Sequence, residues 1–346
     1  MRRREFISVL GGVAASWPLA ARAQRPARAS KRLALFSPPE PTALMNEHGE
    51  NRYWRALFGH LRQLGYVEGQ NLVIERYGRE QQDLAIERYG RDQSTSALVA
   101  DAVRSNPDVV YVVGSTVALL FKRQTDKIPI VALTGDPVAA NLVQSLAHPG
   151  GNITGVSTET APSLHGKRIA LLREILPDIS KLTYLTTRVA WERVPQGPPM
   201  RAAADAAGIA LDVSLIELPS GEAAYGEAIA KSLREGANAI MLGDTPDALA
   251  NHSLIVKLIG AAKLPATYPF PEFVDVGGLM AYSFDLMELV KIIANDIDAI
   301  LRGANPGDIP YYQASKFVLW INLKTAKALG LTVPATLLTS ADKVIE

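Results

Sequence analysis

The segment that decides the fold is residues 133–157, LTGDPVAANLVQSLAHPGGNITGVS. A short apolar run ending at Leu133 predicts a buried strand, and TGDP at 134–137 predicts a turn at its end, followed by a short amphipathic helix. HPGGN at 148–152 breaks the chain again before a second strand, 153–157. We therefore expect a site loop after the first strand and then a crossing from one α/β lobe to another.

Short apolar runs alternate with helical periods along the rest of the chain, a pattern typical of parallel sheets covered by helices. Apolar residues from Tyr53 to Leu64 recur at three- and four-residue steps and predict a helix that ends at Gly65. A longer stripe predicts a helix from Leu286 to Leu301. The chain has 346 residues, of which 48% are hydrophobic and 21% charged, and this length favours two cores. The fold class we expect is α/β, with two doubly wound parallel-sheet lobes.

The first 23 residues resemble an export signal rather than a part of the fold. Arg3 and Arg4 form a twin-arginine pattern, an apolar stretch runs from Phe6 to Leu19, and ARA at 21–23 is an A-x-A cleavage site. Four arginines against Glu5 put a charge of +3 here, so about −2 remains for the rest of a chain whose total is +1. We expect a periplasmic protein exported by the twin-arginine or the general route; the alternative is a disordered basic arm.

Composition also argues against several classes of protein. No apolar span reaches the length of about 18 residues that a transmembrane helix needs. The absence of cysteine excludes disulfides, thiolate metal sites and a lipid anchor, and the near-neutral charge gives no indication of nucleic acid. The five histidines lack metal-binding spacing, and neither a phosphate loop nor a nucleophile elbow occurs. We expect no metal, no cofactor and no catalytic residue, and we expect each histidine to lie on the surface or at a helix cap. We also expect the protein to be a monomer.

Polar and aromatic residues follow the predicted strands at their carboxyl ends. In open parallel sheets, ligands bind outside these ends, where helix starts present free N–H groups to anions. Ser, Thr and Asp also favour helix N-caps at such positions, and Tyr and Phe favour packing between lobes, so both interpretations stay open. The candidate ligand-binding residues are Ser37, Ser115, Thr116, Thr134, Asp136, Thr187, Asp244, Thr245, Tyr268, Phe270, Tyr282, Ser283 and Asp285.

One hexapeptide, IERYGR, occurs twice, at residues 74–79 and again at 86–91. A period of twelve residues over two copies is too short for a solenoid. One interpretation is a duplicated binding strip. The other, which we favour, is a tandem duplication accommodated in the connection after the second strand. A longer loop there adds little to the free energy of loop closure.

Several motifs are similar to those of one known family. They are LGYVEGQN at 64–71, DPV at 136–138, LAHPGGNITGV at 146–156, EF at 272–273 with GGLM at 277–280 and Tyr282, and INLKTAKALG at 321–330. From about Arg32 to Glu346, the chain resembles the substrate-binding proteins of ABC uptake transporters, in the branch that includes tryptophan-type binders.

The resemblance implies a type I periplasmic-binding fold, in which the chain crosses between two lobes three times through a three-stranded hinge. The crossings would lie near residues 147–152, 274–278 and 309–313. The first lobe would then hold residues 31–145 and 279–308, and the second lobe residues 150–275 and 311–346. The duplicated hexapeptide departs from the family pattern and affects the path after the second strand, not the fold.

The resemblance also implies a function. The two lobes would close on a small molecule, an amino acid or other small carboxylate, and an ABC permease in the inner membrane would recognise the closed form. Ser115 and Thr116 would receive a carboxylate at a helix start. An ammonium would pair with Asp136, Asp244 or Asp285, and an aromatic or apolar body would pack on Tyr268, Phe270 and Tyr282.

Three other functions are alternatives to this one. A periplasmic sensor that passes a ligand-closed shape to a signalling receptor would share all of these features. An exported α/β enzyme would need a nucleophile, a base and an orienting group in one cleft, and no sequence motif supplies them. A sugar-responsive transcription regulator shares the two-lobe fold, but the export signal and the missing helix-turn-helix argue against it.

Overall fold

The computed structural model describes residues 30–79, 92–158, 163–192, 197–218 and 220–346. The signal predicted at 1–23 and the second hexapeptide at 86–91 lie outside the described residues. The strands are β1 (Lys31–Pro41), β2 (Leu72–Arg79), β3 (Val109–Val113), β4 (Ile130–Thr134), β5 (Ile153–Ser157), β6 (Lys181–Thr187), β7 (Ala210–Ile216), β8 (Ala239–Leu242), β9 (Ala266–Tyr268), β10 (Met280–Phe284), β11 (Tyr312–Gln313), β12 (Phe317–Asn322) and β13 (Lys343–Ile345).

Helices connect most of these strands, which is the alternation that the apolar pattern predicts. They are α1 (Arg52–Gln63), α2 (Asp92–Ser105), α3 (Ser115–Gln124), α4 (Ser163–Ile175), α5 (Arg188–Glu192), α6 (Gly197–Ala207), α7 (Glu222–Arg234), α8 (Pro246–Ala250), α9 (His252–Ala261), α10 (Pro271–Asp275), α11 (Leu286–Leu301), α12 (Leu323–Ala328) and α13 (Ala335–Ser340). Short 3-10 helices lie at Thr42–Leu44 and Pro306–Asp308.

The strands form two sheets. The first has the order β11-β5-β4-β3-β1-β2 and is parallel throughout. The second has the order β13-β12-β10-β9-β8-β6-β7 and is parallel except for the antiparallel pair β10 and β12. The expected α/β class with two parallel-sheet lobes is confirmed. We call each sheet with its covering helices the first lobe and the second lobe.

The chain crosses between the lobes three times, but each crossing lies later than predicted. β5 pairs in the first sheet and β10 in the second, so the crossings follow Ser157, pass through Asp285 and span residues 314–316. This corrects the predicted boundaries at 147–152, 274–278 and 309–313. The turn at 148–152 links two neighbouring strands of one sheet, because a Gly- and Pro-rich break marks a loop without indicating which strand pairs next.

Two helices predicted from the sequence also differ in the structure. The segment after β4 forms turns rather than an amphipathic helix, because Asn141 adopts a left-handed conformation, φ +55°, that a helix cannot contain. The sequence from Thr245 to Ala262 also predicts one helix, and the structure divides this segment into α8 and α9 at Asn251. In both places, local side-chain hydrogen bonds compete with the helical ladder.

Apolar side chains cover both faces of each sheet. The outer face of the first sheet packs on α2 and α3 around Phe36 and Phe121, and one face of the second packs on α4, α6, α12 and α13. The remaining faces share one continuous cluster that includes α1 and α11 on the first lobe and α7, α9 and α10 on the second. Apolar packing therefore continues across the boundary between the lobes.

Candidate functional site

The carboxyl ends of β3 and β4 bring several predicted residues of the first lobe together. Ser115 begins α3, and its Oγ accepts a hydrogen bond of 3.2 Å from the Gly135 amide. Thr134 precedes that glycine, and its hydroxyl lies 2.8 Å from the hydroxyl of Tyr311. Asp136 follows the same glycine. These side chains lie at the strand ends because parallel strands end at the same edge of a sheet.

Asp136 stabilises the turn that follows β4. Its Oδ1 accepts hydrogen bonds from the amides of Val138 and Ala139, both at 2.9 Å. This geometry matches the capping alternative rather than an open ligand position. Ser37 is buried in β1, and Thr116 is half-buried on the first turn of α3.

Two threonines of the second lobe are helix caps. Thr187 Oγ1 accepts a hydrogen bond from the Ala190 amide at 3.2 Å, and Thr245 Oγ1 accepts one from the Ala248 amide at 3.1 Å. Both side chains are buried. Each cap satisfies an amide that the first turn of a helix otherwise leaves without a partner.

The start of α3 in the first lobe faces the start of α8 in the second. A Cβ atom built on Gly114 would lie 3.9 Å from Cγ of Pro246. β1, which carries Ser37, also contacts α8. Ser115 and Thr116 therefore lie opposite Asp244 and Thr245, and we call these four residues the cleft site.

A buried arginine holds Asp244 in the cleft site. Arg168 on α4 donates from Nη1 and Nη2 to the two carboxylate oxygens, at 2.5 and 3.0 Å, and from Nε to the Tyr282 carbonyl at 2.8 Å. The Arg168 side chain has no exposed surface, whereas the Asp244 side chain is 16% exposed. The two-point bond orients the carboxylate, and a part of the carboxylate side chain remains exposed.

Arg168 was absent from the predicted site, although the sequence contains a signal for it. Leu164, Leu171, Leu172 and Ile175 form the buried stripe of α4, and Arg168 occupies a position of the same stripe. A charged residue on the apolar face of a helix predicts a buried ion pair, because an unpaired charge is rarely buried.

His165, one turn before Arg168, is also buried, which corrects the expectation of a surface or capping position. Its ring lies 5.7 Å from the Tyr184 ring in an edge-to-face arrangement, and its Nδ1 has no hydrogen-bond partner among the described residues. Burial, assisted by the Arg168 charge, lowers the pKa of His165 to about 4, against a smaller opposite effect of Asp244. The imidazole is therefore neutral at pH 7.

Two predicted aromatic residues pack inside the second lobe. The Tyr268 ring stacks on Phe273 at 5.0 Å, and the Phe270 ring lies 5.9 Å from Phe284 in an edge-to-face arrangement. Tyr268 is 2% exposed and Phe270 is 6% exposed. Both residues pack in the core of the second lobe rather than between the lobes, so they shape the end of β9 instead of offering an open surface.

Tyr282 lies on the opposite face of the second sheet from Tyr268. Ala281, the residue before Tyr282, is paired with Tyr268 in the parallel β9–β10 ladder, so these two side chains share a face. Because successive side chains of a strand alternate between faces, Tyr282 points to the other one. The Tyr282 ring stacks on Phe317 at 5.6 Å, and the pair lines a surface cavity of about 380 Å³ between α4, β12 and α13. Ser283 is fully buried, and its hydroxyl donates to the Phe284 carbonyl at 3.0 Å.

Asp285 lies at the second crossing and caps α11. Its Oδ1 accepts hydrogen bonds from the amides of Met287 and Glu288, and its Oδ2 lies 2.7 Å from Lys316 Nζ at the third crossing. Burial raises its pKa, but the Lys316 bond and the amide bonds together hold the pKa below the ordinary value. The carboxylate thus joins two hinge segments.

A second ion pair, which the sequence analysis did not identify, connects the lobes. Arg52 Nε at the start of α1 lies 2.7 Å from Glu272 Oε1 on α10. The Arg52 guanidinium also lies over the rings of Tyr53 and Trp320, at 5.0 and 5.5 Å. Glu272 belongs to a motif that we quoted for the family resemblance, but no local pattern pairs it with a residue 220 positions earlier.

The described residues contain no group of His, Asp and Glu side chains that could hold a metal ion. Within the same residues, no helix combines the length and the apolar character needed to span a bilayer.

Comparisons with known proteins agree with this architecture. The sequence matches the family described as ABC transporter substrate binding protein over residues 67–345. A tyrosine-binding protein from Clostridioides difficile (strain R20291) is 24% identical over 274 residues, which cover 78% of this chain and 74% of that protein.

Two solved structures are similar to this chain with a TM-score of 0.76. One is a conserved domain protein from Vibrio cholerae, 23% identical, covering 92% of this chain and 99% of that chain. The other is an ABC domain in complex with L-Trp from Streptococcus pneumonia. It is 22% identical, and the match covers 92% of this chain and 100% of that chain. The fold is that of the type I periplasmic-binding proteins. This chain belongs to the family of ABC transporter substrate-binding proteins.

Proposed function

We propose that this chain is the periplasmic solute-binding component of an ABC uptake system and that it closes its lobes on an amino acid. The observation that carries the proposal is the opposition of Asp244, fixed by Arg168, to the start of α3 with Ser115. One side of the cleft site offers an accessible carboxylate, and the other offers helix amides and hydroxyls.

The chemistry of the cleft site suits a zwitterion. The ammonium of an amino acid would bind the Asp244 carboxylate, which Arg168 holds in one orientation. Its carboxylate would bind the amides at the start of α3 and the hydroxyls of Ser115 and Thr116, since a helix start favours negative charge. The tyrosine- and tryptophan-binding relatives are consistent with this choice.

Calorimetric titration of the mature protein with the twenty amino acids tests the ligand class. We expect at least one to bind with micromolar affinity or better, and its analogues lacking either the amino or the carboxyl group to bind at least about tenfold more weakly. Asp244→Asn should weaken binding of the amino acid by a similar factor, whereas Asp178→Asn, on an exposed loop of the same lobe, should leave the affinity unchanged. Equal binding of the deaminated analogue would contradict the role of Asp244.

Export and transport need separate experiments. Because Arg3 and Arg4 lie in a twin-arginine pattern, Arg3→Lys/Arg4→Lys should retain the precursor in the cytoplasm, and N-terminal sequencing of exported wild-type protein should begin at Gln24. Deletion of the gene should abolish high-affinity uptake of the ligand that calorimetry identifies. Normal uptake in the deletion strain, with intact binding, would favour a sensor.

A further inference from the structure

The first copy of the repeated hexapeptide forms most of β2, the edge strand of the first sheet. The repeat extends beyond the hexapeptide. Residues 71–82 read NLVIERYGREQQ and residues 83–94 read DLAIERYGRDQS. The second copy therefore contains a counterpart for each position of β2.

The side chains of β2 make specific contacts with the rest of the first lobe. Glu75 accepts a hydrogen bond from Arg32 Nε at 3.1 Å, and Arg76 donates to the Met45 carbonyl at 2.8 Å. The Tyr77 ring stacks on Phe36 with 5.6 Å between the centroids. The second copy supplies the identical side chains twelve positions later, as Glu87, Arg88 and Tyr89.

The glycine of the hexapeptide meets a strict steric demand. A Cβ atom at Gly78 would lie 2.4 Å from the Glu40 carbonyl oxygen, so only glycine fits without a backbone shift. Gly90 matches it in the second copy. At the start of the strand, buried Leu72 corresponds to Leu84, and Val73, which is 45% exposed, corresponds to Ala85.

The chain connections also permit the second copy to enter the sheet. Among the described strands, β2 has one neighbour, β1, so an exchange breaks a single described ladder. Twelve residues separate β2 from α2 in the structure, whereas Arg91 directly precedes α2. Because residues 95–98 of α2 are not buried, its first turn can unwind into a connection of about three residues with Thr95 or Ser96 as a new N-cap.

We propose that either copy forms the edge strand, so the native protein populates two registers that lie twelve residues apart. The extra twelve residues follow the strand in one register and precede it in the other. The two registers have matching side-chain contacts along the hexapeptide and similar loop-closure costs, since that cost grows slowly with length. Loss of one of two equivalent registers lowers the folding equilibrium constant by a factor of only about two.

Valine substitutions at the two glycines test the proposal. Gly78→Val or Gly90→Val alone should lower the folding equilibrium constant, measured by urea unfolding, by no more than a few-fold, because the other copy takes over. The double variant should lower it by about a hundredfold or more. If one single variant is as damaging as the double variant, or if the double variant is harmless, the proposal fails.

A shortened chain supplies the matched control. Deletion of residues 74–85 and deletion of residues 80–91 yield the same sequence, which holds a single copy. In the shortened protein, valine at the single remaining hexapeptide glycine should lower the folding equilibrium constant as much as the double variant does in the full-length protein. The comparison thus measures the protection by the second copy directly.

Disulfide trapping gives a readout that does not depend on stability, because the chain has no cysteine. Arg32 is paired with Val73 in the β1–β2 ladder, and Ala85 would take the place of Val73 in the other register. Adjacent strands lie within disulfide range. Arg32→Cys/Val73→Cys and Arg32→Cys/Ala85→Cys should both form the disulfide under mild oxidation. A disulfide in the first variant alone would overturn the proposal.

Discussion

At the scale of single residues, burial decides what each charged side chain does. Arg168 occupies a position that an apolar residue would fill in most helices, and its charge is compensated by the two oxygens of Asp244. Arg168 thereby fixes the orientation of the Asp244 carboxylate in the cleft site. We regard Arg168 as a positioning residue for the cleft site.

Removal of Arg168 should therefore affect both stability and binding. Arg168→Met removes the buried guanidinium that binds both oxygens of the Asp244 carboxylate, so we expect a loss of about 3 kcal/mol in the free energy of unfolding and the loss of ligand binding. Arg168→Met/Asp244→Leu should regain most of the stability but none of the binding. Urea unfolding and calorimetry measure the two effects, and Arg173→Met on the same helix is the control. An Arg168→Met variant with unchanged stability would contradict this assignment.

Asp296 on α11 provides a pH-dependent contribution to stability. It is buried, its Oδ2 has no hydrogen-bond partner within the described part of the chain, and burial raises its pKa to about 7. The folded state binds this proton more tightly than the unfolded state, whose pKa is near 3.8, so the stabilisation is complete below pH 3.8 and is lost as the pH rises to 7. His165 acts in the opposite direction, because its lowered pKa makes acid destabilising between pH 6.5 and 4.

The Asp296→Asn variant isolates this effect from that of His165. Relative to wild type, it should gain about 3 kcal/mol of stability on going from pH 4 to pH 8. Denaturant unfolding at a series of pH values measures the difference. An equal pH dependence in the two proteins would show that Asp296 keeps an ordinary pKa.

At the scale of elements, strand bounds and helix ends follow local rules with few exceptions. The segment 153–157 is a strand with the predicted bounds, and Gly65 follows α1 as expected. At Thr187 and Thr245 the sequence leaves two roles open, because the same residue types suit a cap and a ligand site. Only hydrogen-bond geometry separates these roles.

Gly155 in β5 shows how closely the central strands of the first sheet pack. Its φ is +144°, and a Cβ atom there would lie 2.1 Å from the Ala132 carbonyl oxygen of β4. Gly155→Ala should therefore lower the free energy of unfolding by more than about 2 kcal/mol. Gly226→Ala is the control, because a Cβ atom there meets nothing within 4 Å in the middle of α7. It should raise stability by up to about 1 kcal/mol, and thermal unfolding measures both changes.

At the scale of the whole molecule, a set of contacts joins the two lobes. The Arg52–Glu272 ion pair joins α1 of the first lobe to α10 of the second, and Trp320 of the second lobe packs against the same guanidinium. Under the proposed function, separation of the lobes would break these contacts. They would therefore favour the closed form independently of the ligand.

Weakening this ion pair should shift the population toward the open form. We expect Glu272→Gln to enlarge the radius of gyration of the ligand-free protein in small-angle scattering and to weaken ligand binding several-fold, because apparent affinity falls with the closed fraction. Glu217→Gln, which alters an exposed pair with Arg188 within the second lobe, is the control. Unchanged scattering and affinity in Glu272→Gln would assign the ion pair a purely local role.

The sequence by itself determined the class of fold, most of the strands, the family and the residues at the strand ends. Periodicity and turn chemistry act over a few residues, and the chain carries them directly. The tertiary structure alone decided that 153–157 pairs in the first sheet, that Tyr282 points away from Tyr268, and that Arg168 and Glu272 meet partners 76 and 220 residues distant. Long-range pairing depends on packing of the whole chain, which no local pattern encodes.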